Sequence, residues 1–137
     1  MFCCLGTTRQ KAGSASNSRR IDFELCFHLA KIARKENIPY FSLISAKGAN
    51  QQLWTSSLRL LHPLLYAQTK GELEAELTAL GFPCLHIFRP GLLNRKQKDR
   101  RTLESMALNI LPSLDVDNLA RFMIKQSLSC RHSPRSK

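Results

Sequence analysis

Three side chains in the middle of the sequence have types and a spacing suited to proton transfer at a carbonyl group: Ser45, Tyr66 and Lys70. A carbonyl that accepts a hydride needs a proton donor at its oxygen, and a phenol with a pKa near 10 donates poorly at neutral pH. A neighbouring ammonium stabilises the phenolate, so we expect Lys70 to lower the pKa of Tyr66. Ser45 would hold the developing oxyanion by a hydrogen bond.

The elements predicted around these residues would bring them to one region. Tyr66 and Lys70 are four positions apart in a helical pattern, so their side chains share a face. Ser45 ends an apolar, aromatic run that is typical of a strand leading into a loop. Taken alone, the same residues are explained equally well without catalysis, as a solvated helix face and a serine that caps a turn. A catalytic role for them therefore depends on what the rest of the sequence places around them.

The whole chain alternates between strand and helix patterns, which predicts an α/β fold with a parallel sheet and right-handed crossovers. A loop is predicted over 7–20. The predicted strands are 2–5, 40–44 and 84–88, and the predicted helices are 21–35, 65–80, 102–110 and 116–128. With 137 residues, of which 43% are hydrophobic, the chain fits one domain over 1–128 and a basic, disordered tail over 129–137.

Only part of a nucleotide-binding sheet is predicted. Three strands provide one side of the crevice in which ligands bind at the carboxyl ends of parallel strands, and no Gly-x-Gly-x-x-Gly turn is present in the sequence. We therefore expect the chain to be the C-terminal portion of a larger fold. Its first strand would be an unpaired apolar edge, so we also predict self-association.

The net charge of +11 is concentrated in the predicted loops and the tail. No recognition-helix or aromatic-sheet pattern accompanies it, so nucleic-acid binding is disfavoured. The basic cluster at 95–101 is interpreted as a solvated loop in preference to a nuclear-import signal.

Other features of the composition bear on location and metals. No apolar run is long enough to span a membrane. Five cysteines, without a Cys-x-x-Cys pair, argue against a disulfide framework or a zinc site and favour a reducing compartment, cytoplasmic or possibly nuclear. The four histidines have no metal-ligand spacing, so no metal site is predicted.

Several motifs occur in an order that resembles one family, the Tat-interacting oxidoreductase-like proteins, which are atypical short-chain dehydrogenases/reductases. The motifs are the octapeptide 2–9 with 11–13, Ile21-Asp22, the segment 42–50, Tyr66 with Lys70-Gly71-Glu72, and 88–91. The resemblance covers about residues 2 to 95 and, weakly, 111 to 128. It implies a partial Rossmann-like domain from which the family's first three strands and phosphate-binding turn are missing.

The resemblance also implies site residues and a cofactor, NADP(H) or NAD(H). It places Ser45, Tyr66 and Lys70 in the catalytic positions, with Lys70 also reaching the nicotinamide ribose. The residues that it assigns to the cofactor are Gly6, Thr7, Lys70, Arg89, Pro90 and Gly91. The implied function is carbonyl/alcohol hydride transfer in a full-length form, this chain alone being inactive; the alternative is a non-catalytic regulatory module that binds protein partners in the cytosol or nucleus.

Two features depart from the family pattern. Asp22 stands where many relatives have a helix asparagine. Ser45 and Tyr66 are 21 positions apart, where about a dozen is usual for this architecture. The additional segment, within 50–65, is consistent with a lid over the substrate crevice, a patch over exposed apolar surface, or an artefact of gene prediction.

Overall fold

The computed structural model describes residues 1–53, 62–94 and 114–131. It divides into two compact units, 1–89 and 90–137, and each is described here by itself. The predicted helix 102–110 and the basic cluster 95–101 lie outside the described residues, as does half of the segment 50–65, from 54 to 61. The single domain predicted over 1–128 stays a prediction.

The first unit contains a three-stranded parallel sheet in the order β1-β2-β3. Its strands are β1 (Phe2–Cys3), β2 (Tyr40–Ile44) and β3 (Cys84–Phe88). The crossover from β1 to β2 contains two short helices, α1 (Arg9–Ala12) and α2 (Ala15–Arg19), a π-helical segment (Arg20–Leu25) and α3 (Cys26–Lys35). The crossover from β2 to β3 contains α4 (His62–Ala79). The predicted α/β class and partial Rossmann-like sheet are confirmed.

Most predicted boundaries agree with these elements, and the differences have local causes. Strands 40–44 and 84–88 agree to the residue, whereas β1 is two residues shorter than predicted. The loop predicted over 7–20 is wrong in part, because it holds α1 and α2. Ser14 caps α2 by accepting a hydrogen bond from the backbone N–H of Asn17 at 3.1 Å, which is the usual role of serine before a helix.

The core lies between the central strand and the helices. Phe41 and Leu43 of β2 are fully buried against Leu73 and Leu77 of α4. The face of α3 that packs here consists of small residues, which permit close approach to the sheet: Cys26, Ala30 and Ala33. Leu73 and Leu77 are four positions apart and lie on one face of α4, so other residues on that face are also buried.

The second unit contains the short strands β4 (Leu93–Asn94) and β5 (Leu114–Asp115), which pair in parallel, followed by α5 (Val116–Arg131). The predicted tail begins inside α5, which continues through Arg131. Along the described ranges of both units, no helix is long and apolar enough to cross a membrane.

Candidate functional site

The carboxyl ends of β1, β2 and β3 lie at one edge of the sheet because the three strands are parallel. Leu5, Gly6 and Thr7 follow β1, and Ser45 follows β2 directly. The backbone N–H of Ser45 donates a hydrogen bond to the carbonyl of Phe88 at 2.7 Å, which joins the ends of β2 and β3. This edge is where ligands of open parallel sheets bind.

A buried ion pair lies under this edge. The Nζ of Lys70 is 3.4 Å from Oδ1 of Asp22, and each side chain is only 1% exposed. Lys70 also donates a hydrogen bond to the carbonyl of Leu5 at 3.3 Å. The position of Lys70 follows from the sequence of α4, since it precedes the buried Leu73 and Leu77 by three and seven positions and so shares their face.

Asp22 organises the segment that follows β1. Its Oδ1 accepts a hydrogen bond from the backbone N–H of Thr7 at 3.2 Å, and its Oδ2 accepts one from the hydroxyl of Ser18 at 3.3 Å. A Cβ at Gly6 would lie 3.5 Å from Oδ1, which is ordinary contact. One carboxylate thus connects Lys70 with the turn that contains Gly6 and Thr7.

Tyr66 lies one turn before Lys70 on α4, with the Lys70 ammonium 5.8 Å from the centre of its ring. Burial raises the pKa of Tyr66, and the negative charge of Asp22 raises it further. The predicted lowering of this pKa is therefore wrong for the chain without ligands. Burial is the main cause, and the negative charge of Asp22, with which Lys70 is paired, adds to it.

Ser45 is 4% exposed, and its hydroxyl has no hydrogen-bond partner among the residues that the structure describes. Most buried hydroxyls are hydrogen-bonded, so an unpaired one at the edge where ligands bind is a functional candidate. The loop that follows it turns at Gly48, whose φ is +82°. It is then held to α4 by a 3.1 Å hydrogen bond from the N–H of Asn50 to the carbonyl of Ala67.

Two buried free thiols, those of Cys3 and Cys26, lie beside the ion pair. A hydrogen bond from Cys26 lowers the pKa of Cys3 to about 6, and the charge of Lys70 contributes in the same direction, while burial opposes both. The same hydrogen bond raises the pKa of Cys26.

Arg89, which follows β3, pairs with a carboxylate of α4. It forms an ion pair with Glu74 of α4, with a hydrogen bond of 3.0 Å from Nε to Oε1. Glu74 is buried, at 5% exposure. Pro90 and Gly91 belong to the second unit, so their role beside a nicotinamide stays a prediction.

The structure thus gathers Gly6, Thr7 and Lys70 around Asp22, and puts Tyr66 beside Lys70. Sequence reasoning did not include Asp22 among the site residues. A signal for it exists: Asp22 precedes Cys26, Ala30 and Ala33 by 4, 8 and 11 positions, which is the spacing of one buried helix face. An acidic residue on such a face needs a buried cation as its partner.

Comparison with known proteins yields clear relatives. The chain is 37% identical to Protein FMP52-1, mitochondrial, of Scheffersomyces stipitis over 114 residues, which are 82% of this chain and 46% of that protein. It is 39% identical to Protein HTATIP2 of Rattus norvegicus over 113 residues, 82% of this chain and 43% of that protein. With Protein FMP52, mitochondrial, of Debaryomyces hansenii it shares 40% identity over 100 residues, 72% of this chain and 40% of that protein.

The chain therefore spans less than half of the length of each of these relatives. No protein-family profile matches the sequence. The names of the FMP52 relatives include the word mitochondrial, so the predicted cytoplasmic or nuclear location is contradicted. The reasoning failed because reduced thiols indicate a reducing environment and do not distinguish one intracellular compartment from another.

Proposed function

The chain belongs to the atypical short-chain dehydrogenase/reductase family of HTATIP2 and the FMP52 proteins, and from this premise we propose that it carries the substrate-side half of an NAD(P)-dependent oxidoreductase site. The reaction would be hydride transfer between a carbonyl and an alcohol in a full-length form. The observation that carries the proposal is the buried, unpartnered hydroxyl of Ser45 at the carboxyl edge of the sheet. A substrate oxygen would satisfy it.

The residues that follow β1 are compatible with a bound dinucleotide at the carboxyl edge of the sheet. Gly6 and Thr7 lie at the end of β1, where Asp22 and Lys70 fix the backbone. Space remains at Gly6, since even an added Cβ would meet only ordinary contact. A bound reduced nicotinamide would supply the hydride.

The chain's own residues would donate the proton to the substrate oxygen. Tyr66 keeps its phenolic proton at neutral pH, and its raised pKa makes it a weaker acid in the chain without ligands. It would donate this proton to the strongly basic substrate alkoxide that hydride transfer generates. Ser45 would orient the substrate oxygen by a hydrogen bond. Lys70 would position the turn after β1 through the Leu5 carbonyl, and it would aid proton release only once a ligand draws it from Asp22.

Titration of the purified chain with NADPH, and then NADH, tests the binding half of this proposal. Binding is monitored by nicotinamide emission and by Trp54 fluorescence. We expect it to saturate in the micromolar range. Tyr66→Phe should bind equally well, because it removes only the proton donor. A chain that is folded by circular dichroism and binds neither nucleotide would overturn the proposal and favour the non-catalytic, protein-binding alternative.

The chemical half is tested in a longer form of the chain that includes a glycine-rich turn. There, Tyr66→Phe should abolish carbonyl reduction while NADPH binding remains. Equal turnover by the parent and by Tyr66→Phe would show that the proton comes from another group.

The names of the FMP52 relatives also support a mitochondrial location for this protein. Fractionation of cells that express a tagged chain should recover it with mitochondria. Recovery in the soluble cytosolic fraction would contradict this part of the proposal.

A further inference from the structure

Two free thiols are buried in the described part of the first unit, and they lie on facing elements. Cys3 belongs to β1 and Cys26 is the first residue of α3; both are almost completely buried, in one core cluster. They are 23 positions apart in the sequence, and a side-chain hydrogen bond joins them. The proposed hydride transfer uses neither thiol, so we asked what chemistry the pair itself supports.

The contacts of the pair give the two sulfurs different acidities. The hydrogen bond from Cys26, another from the backbone N–H of Leu5 and the charge of Lys70 all lower the pKa of Cys3, against the effect of burial. The hydrogen bond to Cys3 and burial raise the pKa of Cys26, whose sulfur is also 3.5 Å from the carbonyl of Ile21. Because the thiolate is the reactive form of cysteine, Cys3 is the nucleophile of the pair and Cys26 is the protonated thiol beside it.

The neighbouring residue, Cys4, provides an internal comparison. Successive side chains of an extended chain point to opposite sides, and Cys4 is exposed where Cys3 is buried. Desolvation and the negative charge on Cys3 raise the pKa of Cys4. Cys4 is therefore the more accessible of the two adjacent thiols and the less acidic one.

We propose that Cys3 and Cys26 are a redox-active dithiol, which hydroperoxides convert to an intramolecular disulfide between β1 and α3. The thiolate of Cys3 attacks one peroxide oxygen, the O–O bond breaks, and the other oxygen leaves with a proton as water or an alcohol. Cys26 then attacks the sulfenic acid on Cys3, so that the S–S bond forms, the S–O bond breaks and water leaves. The thiols are oxidised to the disulfide, and the electrons that they lose reduce the peroxide.

The first step favours the second. The hydrogen bond to Cys3 is the largest cause that raises the pKa of Cys26, and the negative charge of Cys3 raises it further. A sulfenic acid is neutral, so oxidation of Cys3 removes that charge and leaves the positive charge of Lys70 to act in the opposite direction. Cys26 thus becomes a stronger acid, and more of it is thiolate, once Cys3 has been oxidised.

A peroxide reaches the buried pair through the edge of the sheet. β1 is only two residues long, and in the described sheet it is paired on one side only, with β2. Short elements with few hydrogen bonds open locally at a lower free energy than the core does. Opening of β1 therefore exposes Cys3 without unfolding α3 or α4.

Peptide mapping after treatment with hydrogen peroxide tests the proposal. The freshly reduced, folded chain is treated, the remaining thiols are alkylated in urea, and the digest is analysed by mass spectrometry without reduction. We expect two peptides joined through Cys3 and Cys26, which dithiothreitol separates. The same treatment of the chain in urea should lose this selectivity and link several pairs of cysteines, because the pairing depends on the fold.

Cys26→Ser removes the second thiol and keeps a small side chain that can donate a hydrogen bond to Cys3. It should stop the reaction at the sulfenic acid of Cys3, which dimedone traps, whereas the parent should give little trapped product. Cys4→Ser is the matched control, because it makes the same change at the exposed neighbour. It should form the Cys3–Cys26 linkage in the same yield as the parent.

Oxidation of Cys4 alone, with Cys3 and Cys26 still recovered as alkylated thiols, would overturn the proposal. Equal dimedone trapping at Cys3 in the parent and in Cys26→Ser would overturn it as well, since Cys26 would then take no part in the reaction. If Cys26→Ser does not fold by circular dichroism, the peptide map of Cys4→Ser decides the question by itself, because Cys3 is then the one thiol left at this end of the chain.

Discussion

Gly71 lies on the buried side of α4 where the loop after Ser45 crosses the helix. A Cβ built at this position would be 2.3 Å from the backbone N of Gln51 and 2.6 Å from that of Asn50. Both contacts are with backbone, so no side-chain rotation can relieve them. Gly71→Ala must therefore push the loop away from α4 and break the hydrogen bond from Asn50 to Ala67.

The sign of the effect makes this substitution informative. In an exposed helix interior, glycine to alanine stabilises by about 1 kcal/mol. Here overpacking costs about 1–3 kcal/mol, and the lost hydrogen bond costs about another 1 kcal/mol. We expect Gly71→Ala to lower the free energy of unfolding by about 2 kcal/mol, measured by urea denaturation followed by circular dichroism.

Gly6→Ala is the control for this measurement. Its added Cβ would meet Asp22 Oδ1 at 3.5 Å, an ordinary contact, so its stability should equal or slightly exceed that of the parent. A Gly71→Ala variant that is as stable as the parent, or more stable, would refute the close approach of the loop to α4. The loop would then have no tight support from the helix that carries Tyr66.

Three further predictions concern the buried groups around Lys70. Lys70→Met should lower the free energy of unfolding by about 3–5 kcal/mol because it leaves Asp22 charged and unpaired. Adding Asp22→Asn to this variant should recover part of that loss. A loss of stability below about 1 kcal/mol in Lys70→Met would contradict a buried ion pair between Lys70 and Asp22. Asp22→Asn alone should lower the pKa of Tyr66, since it removes a negative charge that opposes the phenolate; an unchanged phenolate absorbance titration would count against this cause. The pKa of Cys3 is lowered to about 6 from 9.0, so its contribution to stability is complete above pH 9 and is lost as the pH falls through 6. Cys26→Ala should flatten this dependence in urea denaturation between pH 6 and 9, and parallel curves for the parent and the variant would show that the thiol hydrogen bond does not operate.

The sheet and the long helices were predictable because their signals are local. Strands β2 and β3 begin and end with the apolar runs that predicted them. Gly81, with φ of +63°, follows α4 as a helix-ending glycine should. The short helices α1 and α2 were missed because Ser, Thr and Gly also favour loops, and their helical state depends on caps such as Ser14.

The site was predictable in its residue types and not in its electrostatics. A shared face for Tyr66 and Lys70 follows from helical spacing alone. The partner of Lys70 is Asp22, which is 48 positions away in the sequence, and periodicity contains no information on which residue of another helix it meets. The expected sign of the Tyr66 pKa shift was wrong chiefly because the helical pattern does not show how deeply Tyr66 is buried, and the negative charge of Asp22 adds to that effect.

The π-helical segment, Arg20–Leu25, allows the crossover before α3 to hold one more residue without a change of register. A π-helical turn contains more residues than an α-helical turn, so the segment is equivalent to an α-helix with one residue inserted. Deleting one exposed residue there, such as Glu24, would return the segment to α-helical winding and leave the residues on either side facing nearly as before. Arg19 would then keep its ion pair of 2.7 Å with Glu72. Deleting a residue within α3 itself would instead rotate everything upstream by about 100°, and Arg19 would turn away from Glu72. In this part of the chain, a change of length is absorbed as a change of winding only within the π-helical segment.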